Sequence, residues 1–116
     1  MAAKTQKRLY GPALIATGPT TVYTVPALTL AKVKQIHVQN PSASPVTYTI
    51  SIGADAAGTR LYSAFSLPAA AAGVTDSVRD HFFSDLPLTT TEIIQLSAGT
   101  NNIVNITIIG SEEVLG

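Results

Sequence analysis

The clearest order in the chain is a period of two. In "VTYTISI" Val46, Tyr48, Ile50 and Ile52 fall on one side of an extended backbone and Thr47, Thr49 and Ser51 on the other, as in an antiparallel strand with one buried face. "NIVNITIIG" repeats the pattern: Val104, Ile106 and Ile108 share one face, and Ile103, Asn105, Thr107 and Ile109 share a mixed second face suited to partial burial against another chain. No window sustains an apolar stripe at helical spacing, and the abundant β-branched residues favour a pleated surface. Turn formers interrupt the chain about every 8 to 12 residues, in "TGPT", "NPSASP", "GADAAGT", "SDLP" and "AGTNN". The expected strands are Leu9–Ala16, Thr21–Val25, Lys32–Asn40, Val46–Ile52, Arg60–Leu67, Val74–Val78, Ile93–Ser97 and Asn102–Gly110.

One of these strands breaks its own alternation. In "KVKQIHVQN" Val33 is in phase with Gln35, His37 and Gln39, whereas Ile36 and Val38 are in phase with Lys34 and Asn40. Either both faces of the strand are partly covered, or an extra residue near Lys34 or Gln35 forms a β-bulge that restores one apolar face on both sides of the slip; the bulge is the favoured reading.

About eight short antiparallel strands predict an all-β, single-domain antiparallel β-sandwich of jelly-roll or Greek-key type. An immunoglobulin-like sandwich is the alternative, but it would lack that fold's usual Cys and Trp core markers, since the chain has neither residue. The length of 116 residues suits one core. The expected division is an N-terminal arm over 1–9, the sandwich over 10–113 and a C-terminal tail over 114–116.

Charge adds a constraint. Seven basic and seven acidic residues cancel, which disfavours electrostatic capture of nucleic acid or an anionic membrane. The ends are the exception: Lys4, Lys7 and Arg8 crowd the N-terminus, while Glu112 and Glu113 lie near the C-terminus. They read either as solvated termini or as an arm that docks on an acidic neighbour. No apolar run is long enough to span a bilayer or serve as a signal-peptide core, so a soluble, unexported product made inside the cell is expected.

Candidate chemistry is sparse. Without cysteine there is no thiolate nucleophile or disulfide, and two histidines, His37 and His81, do not make a metal site, so no cofactor or metal is expected. "VRDHFFSD" gathers Arg79, Asp80, His81, Ser84 and Asp85, but it lacks a nucleophile elbow and reads as a polar turn plugged by Phe82 and Phe83. The triplet Asn105-Ile106-Thr107 lies within a strand and reads as a chance match to a glycosylation signal. No catalytic residue is assigned, and an enzyme is not expected.

The runs "TTVYTVPALTLAKVKQIHVQNPSASPVTYTISIG", "TRLYSAFSLPA" and "LPLTTTEIIQLSAGTNNIVNITIIGSEE" resemble a group of small β-sandwich virion proteins of tailed bacteriophages. In that group a "YTVP" strand, an "I-x-V-x-N" strand, a "V-T-x-x-I-G" strand and a closing "V-N-I-T-I-x-G" strand recur in this order. The likeness spans Thr20 to Glu113, and it departs from the group at Ala27 and at Thr91-Glu92, where members carry Gly and a Gly-Asp pair. It implies a non-enzymatic virion component, foremost a head decoration (cement) protein on the capsid lattice. Tail, baseplate or fibre-adaptor parts are the alternative. A carbohydrate-binding jelly roll for host adhesion is a third reading, with Tyr62, Phe82 and Phe83 as the available aromatics. The implied partners are the major capsid protein or another virion protein, reached by Lys4, Lys7, Arg8 and Tyr10, and further copies of the chain, with a trimer favoured.

Overall fold

The computed structural model describes residues 4–70, 77–100 and 102–115. Eight strands form: β1 (Lys4–Leu14), β2 (Thr20–Thr24), β3 (Thr29–Gln39), β4 (Val46–Ile52), β5 (Arg60–Leu67), β6 (Val78–Leu88), β7 (Ile93–Ala98) and β8 (Asn105–Val114). They build two four-stranded sheets, sheet A in the order β1-β8-β3-β6 and sheet B in the order β2-β7-β4-β5, with every pairing antiparallel.

The pairs nest. Lys4 lies opposite Glu113, Thr20 opposite Leu96, Gln39 opposite Val78 and Val46 opposite Leu67, so the chain is one long antiparallel ribbon doubled back near Gly53–Thr59. Rolling the ribbon brings β3 against β8 and β4 against β7, which closes the two sheets. This is jelly-roll connectivity, and the immunoglobulin-like alternative is set aside because its first and last strands do not form such a nest.

The alternation seen in the sequence builds the core. Val46, Tyr48 and Ile50 of β4, Ile94 and Leu96 of β7, Ile36 and Val38 of β3, and Ile106 and Ile108 of β8 are all buried between the sheets. At Ser51 the β4 alternation slips: Ser51 is buried, and its hydroxyl donates to Asp55 at 2.8 Å. Asp55 also takes both Arg60 contacts, at 2.9 and 3.1 Å, which locks the ribbon's turn.

The expected bulge in β3 is present. Against β8 the register shifts between Val33 and Gln35 and leaves Lys34 as the extra residue; against β6 it shifts at the same place, but there the surplus lies on β6, whose residues 83–85 face Lys34 alone.

Three boundaries differ from expectation. The residues expected as an arm, from Lys4 to Leu9, are the first half of β1, which pairs with β8; from Thr5 to Leu9 only Leu9 is buried, so the apolar pattern alone does not mark a strand. The closing strand runs on through Val114, into the expected tail. "VRDHFFSD" is the body of β6 rather than a turn. His81 and the half-buried Arg79 and Phe83 face inward while Val78, Asp80, Phe82 and Ser84 face outward, so polar and aromatic residues occupy both faces and mask the period. Of the expected strand Val74–Val78, residues 74–76 lie outside the described residues.

Candidate functional site

The residues expected to reach a partner lie along the edge formed by β1 and β2. The Lys7 ammonium donates to Glu112 Oε1 at 3.1 Å, and the Tyr23 hydroxyl donates to Glu112 Oε2. Glu112 on β8 therefore ties the edge of sheet A to β2 of sheet B. Burial works to raise its carboxyl pKa, but the Tyr23 hydroxyl and Lys7 outweigh it and hold it below the ordinary value. Burial, with the Glu112 contact added, raises the Tyr23 phenol in turn. Lys7 is thus occupied within its own chain. Tyr10 packs half-buried against the core, the Lys4 backbone lies opposite Glu113, and Arg8 is exposed. Glu112→Gln is expected to weaken this edge by about 1 kcal/mol, read as a lower urea midpoint, because it removes the charge that both partners meet.

The opposite edge, where β5 faces β6, is closed by aromatic rings. The His81 ring stacks on Tyr62 with centroids 3.9 Å apart, and its Nε2 lies 2.6 Å from the Tyr48 hydroxyl. Phe65 meets Tyr48 and Tyr62 edge-on, and the Arg79 guanidinium lies 5.4 Å from the Phe65 centroid. Burial lowers the His81 pKa and Arg79 adds to this, against a smaller opposing effect of Asp80. Burial also pushes the Tyr48 phenol up to about 12, so Tyr48 keeps its proton and donates it to a neutral His81.

On the outer face of sheet A, Asp80 Oδ1 accepts from Gln35 Nε2 at 2.9 Å and lies 2.6 Å from His37 Nδ1. Burial opposes ionisation of Asp80, but Gln35 and His37 overcome it and hold its pKa below the ordinary carboxylate value. Phe82, beside this cluster, is 74% exposed. Asp85 pairs with Lys34 at 3.6 Å.

The gathering of Arg79, Asp80, His81 and Ser84 in sequence is divided in space. Strand alternation sends Arg79 and His81 inward and Asp80 and Ser84 outward, so Asp80 meets His37 rather than His81. Tyr62 and Phe83 pack against the core, which leaves Phe82 as the most exposed of the aromatics considered for a sugar platform. Asn105 lies within β8 with its Oδ1 buried and unpartnered, a poor position for glycosylation of the folded chain. Among the described residues no group of three metal-ligating side chains converges and no pocket opens.

No protein-family model and no curated protein matches the chain. A solved structure described as that of infectious bursal disease virus Gt strain is similar at 16% identity and a TM-score of 0.28, over 97% of this chain and 30% of that one.

Proposed function

We propose that the chain is a non-enzymatic structural subunit of a virus particle, of the kind that decorates an assembled head. The observation that carries this reading is the sealed jelly roll. Inward positions are filled, no pocket opens among the described residues, and recognition is left to outer faces and edges of low net charge. The motif order that resembles small phage virion proteins supports the same reading. Binding only to the assembled lattice, many copies would stabilise that state by mass action.

Arg8 is an exposed cation of the β1 edge and the residue assigned to the neighbouring virion protein, because Lys7, also exposed, is held by Glu112. Purified protein is expected to co-sediment with expanded head shells of the virus that encodes it, and Arg8→Glu to weaken that binding about tenfold without changing the fold. Deleting residues 1–9 is not a clean test, since it removes half of β1 and the Lys7 contact; it should lower stability as well as binding. Copy number in purified particles decides between sites: hundreds of copies fit head decoration, whereas a handful would move the protein to the tail. Absence from the particle would sink the reading.

A further inference from the structure

The sandwich closes along two seams, β1 beside β2 and β5 beside β6, and they are built differently. At the first, backbone hydrogen bonds pin the chain as it passes from β1 to β2. Ile15 N donates to Val104 O at 3.0 Å, Asn102 N to Ile15 O at 3.0 Å and Ala98 N to Ala16 O at 2.9 Å. Farther along, Glu112 joins Lys7 of β1 to Tyr23 of β2. Among the described residues no backbone hydrogen bond joins β5 to β6.

One end of this second seam is tied. The buried Asn40 side chain donates to Ser44 O at 2.8 Å and to Pro68 O at 2.9 Å, and the Asn40 backbone N–H donates to Ser77 O at 2.8 Å, which holds the strands where β5 ends and β6 begins. Beyond that tie the closure is made by side chains. Among the described residues the Tyr48–His81 contact is the hydrogen bond by which β6 reaches sheet B, and the stack of His81 on Tyr62 is the closest ring contact across the seam. Little else holds β5. Its side chains that pack on the core are Tyr62, Phe65 and Leu67, its register against β4 shifts on both sides of Ile50, and Ala64 within it has a φ of 48°.

From this we infer that His81 is an acid-released latch: protonation of its ring frees β5 to peel from the sandwich as far as the Asn40 tie, while the β1–β2 seam stays closed. The surroundings of the ring are suited to the neutral form. Tyr48 faces it from β4, Tyr62 and Phe65 from β5, the apolar Ile36 from β3 and Arg79 from β6 itself. Asp80, the nearest carboxylate, points to the outer face and is engaged by Gln35 and His37. A proton on Nε2 leaves the Tyr48 O–H without its acceptor and places a cation, in a residue 8% exposed, close to a guanidinium. The Tyr62 face still attracts that cation. Water solvates it better, and peeling β5 away admits water. With the strand open His81 titrates near its ordinary 6.5, whereas in the closed form burial and Arg79 hold it lower. The open population therefore rises by up to about tenfold per pH unit below about 6.5, until the closed form also takes up the proton. This inference concerns the chain alone and does not rest on the virion reading.

The test is amide hydrogen exchange of the full chain, read by mass spectrometry at about pH 7.5, 6.5 and 5.5 and corrected for the intrinsic effect of pH on exchange. Segment 60–67 is expected to lose protection by up to about tenfold per pH unit below about 6.5, while β8 keeps its own. In His81→Phe the acid response of this segment should vanish, and in His37→Gln it should persist. Should His81→Phe not fold, the wild-type contrast between β5 and β8 still decides. Loss of protection in β5 and β8 together, a β5 unmoved by acid, or an acid response that survives in His81→Phe would each overturn the assignment.

Discussion

Gly110→Ala is expected to cost about 3 kcal/mol of stability, a fall in Tm of about 12 °C for a domain of this size. Gly110 sits in β8 opposite Val33, and a Cβ there would collide with the carbonyl oxygen of Lys32 and press on Leu9 Cδ1. The obstacle is backbone, so no rotamer change relieves it. The crowding arises where β3 carries its extra residue, Lys34: the register against β8 slips between Val33 and Gln35, next to Gly110. Bulge and glycine therefore form one device, in which β3 keeps Val33 and Ile36 both inward at the cost of a side chain on β8. Gly18 and Gly58 supply the control. A Cβ at either meets nothing within 4 Å, so alanine there should be neutral or stabilise by about 0.5 kcal/mol. Urea denaturation of the three variants checks the difference, and a Gly110→Ala protein as stable as Gly18→Ala would contradict it.

The Gly110 device also shows what the sequence discloses and what it withholds. The β3 bulge was legible because Val33 and the Ile36–Val38 pair are strongly apolar and visibly out of phase. β4 was legible for the same reason as far as Ile50; beyond it Ser51 turned inward to serve Asp55, a local hydrogen bond that hydropathy does not register. β6 was misread because its inward residues are His81, Arg79 and Phe83, tolerated there only because Tyr48, Tyr62 and Phe65 arrive from the other sheet to bond and stack with them. Such partners are visible only once the fold is known. The β1 edge is intermediate: basic residues at one end of the chain and acidic ones at the other were a readable signal. Their meaning depended on the roll that brings Lys7 to Glu112, 105 positions away.

Acidification from about pH 7 to about pH 5 is expected to lower stability by up to about 1.4 kcal/mol per pH unit, through His81. Its imidazole is 8% exposed, accepts the Tyr48 hydroxyl at Nε2 and is stacked on Tyr62. Facing it are Tyr48 from β4, Tyr62 and Phe65 from β5, Ile36 from β3, and Arg79 from its own strand; the nearest carboxylate, Asp80, lies on the outer face and is engaged by His37. Burial, seconded by Arg79, sets the folded-state pKa below the ordinary 6.5. The unfolded chain then binds a proton first, so the stabilisation is complete above 6.5 and is lost as the pH falls toward and through the folded value. The carboxylates Glu112, Asp80 and Asp55 are held below their ordinary values of 4.5 and 3.8 and contribute their own acid sensitivity at lower pH, outside this window. Protonation would also turn Nε2 into a donor, so that the Tyr48 oxygen must accept and its own proton loses its partner at the β5–β6 edge. Urea midpoints measured across this range should fall for the wild-type chain. In His81→Phe, which keeps a ring on Tyr62 but cannot titrate, the slope should vanish even though the protein is less stable throughout; His37→Gln should retain it. A flat wild-type profile, or an unchanged slope in His81→Phe, would show that the β5–β6 edge tolerates a charged imidazole, and the buried hydrogen bond to Tyr48 would then not be what keeps that edge closed.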